Sequence, residues 1–109
     1  MASFLLQCAY TTEAVTSLVA RPQNRANVIK RAVESLGGKL IGAWMAFGDY
    51  DVVVIADFAN NINAAALALA ITAGGSLKSV KTTPLLSLND SRAALRKAGK
   101  VGYKPVGKR

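Results

Sequence analysis

The residues best suited to chemistry cluster in one tetrapeptide, Gly48-Asp49-Tyr50-Asp51. Asp51 opens the apolar run Val52-Val53-Val54-Ile55, and a carboxylate drawn into apolar surroundings shifts toward the range of a general base. The same carboxylate could instead cap the turn or pair with a basic side chain such as Lys81. Tyr50 offers a phenol, either as a proton donor or as a packing residue whose hydroxyl stays at a wet edge. Trp44 lies upstream, and Lys81 and Thr83 lie in a later strand-like run. Together Trp44, Tyr50, Asp51, Lys81 and Thr83 make a candidate lining for a small organic ligand. No catalytic group is assigned, and Asp51 is the candidate for one.

Other chemistries are disfavoured by what the chain lacks. It has no His and a single Cys, which leaves no Ser-His-Asp triad, no Cys-His dyad and no ordinary zinc site. Haem held through a proximal His is likewise out of reach. No Walker loop occurs, and the pairs Gly37-Gly38 and Gly74-Gly75 are too short for a dinucleotide fingerprint. No metal and no cofactor are expected. Cys8, inside an apolar run, reads as a small buried hydrophobe. Any catalysis would rest on Asp, Tyr, Lys or Thr, or on a substrate that brings its own reactivity.

These groups must be positioned by a chain of 109 residues, 51% apolar and 18% charged, a composition that fits one globular domain. The start lacks the pattern of a signal peptide, and no apolar run reaches the roughly 20 residues of a membrane span. With one Cys, this points to a cytoplasmic protein without a membrane partner. The formal charge of +8 is uneven. Residues 1–88 hold seven basic and five acidic residues, whereas residues 89–109 hold seven basic residues against Asp90 alone.

Taken in order, Ser3 to Tyr10 reads as a first strand and Thr11 to Arg21 as a polar connection. Pro22 is placed to open a helix whose apolar stripe is Ala26, Ile29, Val33 and Leu36. Arg25, Lys30 and Arg31 fall on its solvent side, and Gly37-Gly38 ends it. Lys39 to Phe47 and Tyr50 to Asp57 form a hairpin, with Gly48-Asp49 as a two-residue turn and Gly48 at positive φ. Alternation leaves both faces of the first hairpin strand apolar, so the face turned from the helices must meet something other than water. Ile62 to Ala73 is a second, alanine-rich helix stopped by Gly74-Gly75. Ser76 to Leu88 is the last strand, and Pro84 argues for an edge. Residues 90–98 suit a short amphipathic helix before an irregular basic end.

The order βαββαβ predicts an α+β, ferredoxin-like domain over residues 1–88, with an antiparallel four-stranded sheet in the order 4-1-3-2. Residues 89–109 form a basic C-terminal helix and tail. The motif Gly48-Asp49-Tyr50-Asp51 resembles the signature of the GYD domain family. So do Ser35-Leu36-Gly37-Gly38-Lys39-Leu40 before it, Val52-Val53-Val54-Ile55 after it, and the Ala64–Ala70 helix. Val80-Lys81-Thr82-Thr83, Leu85-Leu86 and Tyr103-Lys104-Pro105 extend the likeness over nearly the whole chain. Trp44 and Pro84 are departures from the pattern.

The resemblance implies a dimeric α/β-barrel arrangement, in which two ferredoxin-like sheets pack face to face, and a family without an assigned reaction. The expected function is therefore that of a homo-oligomeric protein, dimer or higher, binding a small organic ligand. An alternative is a cofactor-independent isomerase or monooxygenase-like enzyme using Asp51. A second alternative is weak nucleic-acid binding through the basic tail, which is disfavoured because Tyr103 is the tail's one residue able to stack on a base.

Overall fold

A computed structural model describes residues 1–107, so Lys108 and Arg109 of the expected basic tail lie outside the described residues. Strand β1 (Ala2–Tyr10) occupies the middle of a four-stranded sheet with β2 (Lys39–Met45), β3 (Val52–Phe58) and β4 (Leu77–Leu85). Every pairing is antiparallel and the order is β2-β3-β1-β4. Pro84 accordingly lies on an edge strand, where a missing ladder donor is tolerated. The alternation expected of a strand is clean in the centre. Phe4, Leu6 and Cys8 of β1, with Val54, Ala56 and Phe58 of β3, are buried on one face.

That face is covered by α2 (Ala26–Ser35) and α3 (Asn61–Ala73), which contribute Val33, Ala64 and Leu67 to the same cluster. Ile29, Ala32 and Leu36 pack around Val33, completing the stripe read from the sequence. The end of α2 is a Schellman motif: Gly38 N–H donates to the Val33 carbonyl at 3.0 Å and Gly37 N–H to the Glu34 carbonyl at 2.9 Å. Gly37 takes φ +72°, and a Cβ on Gly38 would lie 2.7 Å from the Phe58 ring. Helix α3 starts at Asn60, whose side chain accepts from Asn63 N–H at 2.9 Å. The Asn63 amide then donates to the Leu36 carbonyl at 3.1 Å, tying the two helices together.

Three local expectations are corrected. Thr11 to Arg21 is not an irregular connection but contains α1 (Thr12–Ala20). The Thr11 side chain accepts from Ala14 N–H at 3.1 Å, and Glu13 sits in the positive first turn. The helix fully buries no residue, but Ala14, Val15, Leu18 and Val19 recur at helical spacing, with Ala14 and Leu18 half-buried, a short stripe that the reading as a connection passed over. Pro22 does not open α2: it follows the C-cap of α1, and α2 starts at Ala26, where Asn24 accepts the backbone N–H at 2.9 Å.

The hairpin turn is the third. The β2–β3 ladder stops at Met45 and Val52, and residues 46–51 form a wider loop closed by Ala46 N–H on the Asp51 carbonyl at 2.8 Å. Gly48 is not among the glycines with positive φ. Asp51 is drawn instead toward β1, where its N–H donates to the Cys8 carbonyl at 2.8 Å, and this opens the turn.

Helix α4 (Leu88–Ala98) is capped by Ser87, which accepts from Asp90 N–H at 3.0 Å. Among the described residues it has no extensive packing against another element. Leu88 and Leu95 remain largely exposed, as do Val101, Tyr103 and Val106 beyond it. A sheet of four strands, each nine residues or fewer, spans about 30 Å at most along its strands. The 61 Å long axis of the molecule therefore includes the C-terminal segment standing away from the domain.

Candidate functional site

Asp51 sits where β3 leaves the loop, and its position is fixed twice by β1. Besides the N–H contact with Cys8, its Oδ2 accepts the Tyr10 backbone N–H at 2.8 Å. The residue is half-buried. Its carboxylate thus continues the β1–β3 ladder past the point where backbone pairing ends at Cys8 and Val52. The carboxylate bonds neither within its own turn nor to Lys81, the two structural partners the sequence suggested, but to the backbone of β1.

Two clefts open at this end of the sheet. The larger, about 510 Å³, lies between α1, the α1–α2 connection and the β2–β3 end of the sheet, and it includes Val15, Leu18, Ile29, Met45 and Asp51 in its walls. The smaller, about 280 Å³, runs between α2, α3 and the sheet and reaches the core at Leu6, Cys8, Val54 and Leu67. Tyr10, Arg25, Ile29 and Val52 line both. Burial raises the Tyr10 phenol above its ordinary value, opposed by the Arg25 guanidinium and reinforced more weakly by Cys8 and Asp51. Burial alone raises the Cys8 thiol, which keeps it protonated and unreactive. The walls are predominantly apolar, as small-molecule sites usually are.

The five residues singled out as ligand-binding candidates do not converge. Trp44 and Asp51 border the larger cleft. The Trp44 indole lies across Gly42, where a Cβ would come within 2.5 Å of the ring, and it is 54% exposed on the sheet face away from the helices. Lys81 and Thr83 share that open face, paired with Gln7 and Leu5, but they belong to the opposite edge strand. Three strand spacings, about 14 Å, separate their strand from that of Trp44. Tyr50 is half-buried in the loop and lines neither cleft, while Gly48 and Asp49 are exposed.

The sequence reading missed Tyr10 and Arg25. Arg25 was assigned to a solvated helix face, and it does remain exposed. It stands, however, at the N-cap of α2, where the turn made by Asn24 swings it to the mouth of both clefts. The pattern Asn24-Arg25-Ala26 carried the available signal, since an Asn two residues before a free N–H favours such a turn.

Comparisons with known proteins agree with this architecture. No curated protein matches the chain. Among solved structures, the crystal structure of FFRP-DM1 matches with a TM-score of 0.50 at 13% identity, covering 79% of this chain and 100% of that one. Protein Atu4242 from Agrobacterium tumefaciens gives a TM-score of 0.47, also at 13% identity, covering 79% and 92% respectively. At such identity the first likeness speaks for the fold alone. The GYD domain model matches residues 4–95, a span that takes in all four strands but for the first two residues of β1, helices α1 to α3 and the Gly48–Asp51 loop. By that match the chain belongs to the GYD domain family.

Proposed function

We propose that the protein binds a small organic molecule in the clefts at the α1 end of the sheet, and that it does so as a homo-oligomer in the cytoplasm. The observation that carries the binding reading is the junction of the two clefts at Tyr10, Arg25, Ile29 and Val52. An apolar space that continues into the core, with a few polar groups gathered at its mouth, suits a ligand with one polar end.

The oligomer reading rests on the open sheet face. Leu5, Val53 and Ile55 form its half-buried apolar centre, with Ile41, Trp44 and Leu85 exposed around it. Charge on this face is kept to the margins, at Lys39 and Asp57 on one side and Lys81 on the other. A face that is apolar at its centre and carries both signs at its rim can pair with a second copy of itself about a two-fold axis.

Native mass spectrometry of freshly purified protein tests both readings. The expected result is a dimer or larger assembly carrying excess mass from a co-purified small molecule. Trp44→Asp, which places a charge on the face, should shift sedimentation toward the monomer. A wild-type protein that sediments as a monomer at micromolar concentration would refute the assembly. Asp51 catalysis is the weaker reading, because Oδ2 already holds the Tyr10 N–H.

A further inference from the structure

We infer that the ligand of these clefts is an amphipathic monocarboxylate, its apolar tail running into the smaller cleft and its carboxylate held at the mouth by Arg25. This rests on the binding reading above and assigns the chemical class of the ligand.

Among the described residues, Arg25 is the one basic residue that lines either cleft. Among the described residues the smaller cleft has no acidic residue in its walls, so Arg25 is the only charged group there. Its remaining lining is apolar or neutral, with Val28, Ala32, Leu67 and Ile71 beside the core residues. A cation at the entrance of an apolar channel selects a ligand with the complementary arrangement, one negative group on an apolar body.

The guanidinium is free enough to serve. Its recorded side-chain hydrogen bond, from Nη1 to Gln23 Oε1 at 3.1 Å, engages one of five N–H donors in a planar fork that matches a carboxylate. Tyr10 lines the same junction as Arg25 in both clefts. The phenol supplies a second donor for the same head group.

Asp51 is the anion that could oppose such a ligand. It lines only the larger cleft, and the Tyr10 N–H holds its Oδ2. The carboxylate ligand is therefore assigned to the smaller cleft, away from Asp51.

Isothermal titration calorimetry with sodium octanoate and with octanamide separates the head group from the tail. Octanoate should bind the wild-type protein at least tenfold more tightly than the neutral amide. In Arg25→Gln the preference for octanoate should disappear, the two affinities becoming equal. Lys30→Gln, a change on the exposed side of α2, should leave the tenfold preference intact. Equal binding of the two compounds by the wild-type protein would overturn the carboxylate assignment and leave the cleft reading standing. A preference for octanoate that survives Arg25→Gln would also overturn it, by placing the head group elsewhere. Binding of neither compound would remove the cleft reading itself.

Discussion

Replacing Asp51 by Ala tests whether the motif's last carboxylate is a structural part. In the structure Asp51 Oδ2 is the acceptor for the Tyr10 N–H at 2.8 Å, in a half-buried position. Truncation leaves that N–H without its partner, and an unpaired buried donor costs about 1–3 kcal/mol. Taking about 2 kcal/mol, and a urea dependence of about 1.5 kcal/mol per molar for a domain this small, the unfolding midpoint should fall by roughly 1.3 M. Asp51→Asn keeps an acceptor oxygen and loses only the charge, so its midpoint should fall by less than half as much. Both variants are compared at one protein concentration, since the proposed assembly would add to apparent stability. Hydrogen exchange at the Tyr10 amide provides the local readout, and it should quicken in Asp51→Ala. An Asp51→Ala protein with an unchanged midpoint and a still-protected Tyr10 amide would refute the structural role.

Two further perturbations follow from the geometry. Gly38→Ala drives a Cβ to 2.7 Å from the Phe58 ring and 2.8 Å from the Asp57 carbonyl, neither able to withdraw easily, and should cost about 1–3 kcal/mol. Gly37 has open space but φ +72°, so Gly37→Asn, with a residue that tolerates this region, should unfold near the wild-type midpoint while Gly38→Asn does not. Stability should also fall in alkali. Burial raises the Cys8 thiol above its ordinary 9.0 and Tyr10 above 10.0, so the unfolded chain releases these protons first. The stabilisation is complete below about pH 9 and is lost as pH rises beyond it. Urea midpoints from pH 7 to 11 should show a shallower decline in Cys8→Ala, and an identical slope would refute the thiol's part.

The fold was legible wherever burial imposes a period. Phe4, Leu6 and Cys8 alternate with half-buried residues, and Ile29, Val33 and Leu36 recur at helical spacing, so strands and helix announce themselves. Helix α1 carries only a short stripe, Ala14, Val15, Leu18 and Val19, none of it fully buried, and the cap at Thr11 and the acid at Glu13 were the other signals. The Gly48–Asp51 turn misled for another reason. Its chemistry suits a tight reversal, but Asp51 bonds across to β1, a partner 41 residues away, and a local reading of turn residues contains no such contact. The candidate site was hidden in the same way. Tyr10 ends a strand and Arg25 ends a connection, and only the packing of α1, α2 and the sheet brings them to one mouth.

The detached position of α4 and the tail also divides the molecule electrically. The domain carries nearly balanced charge, whereas Arg92, Arg96, Lys97, Lys100 and Lys104 sit on the segment that stands away from it. At physiological salt, exposed charges are screened beyond about 8 Å, a small fraction of the molecule's 61 Å length. A charged molecule approaching the sheet end meets an almost neutral body, and one approaching the other end meets a concentrated cation. Added salt will therefore weaken attraction at the cationic end far more than at the almost neutral one.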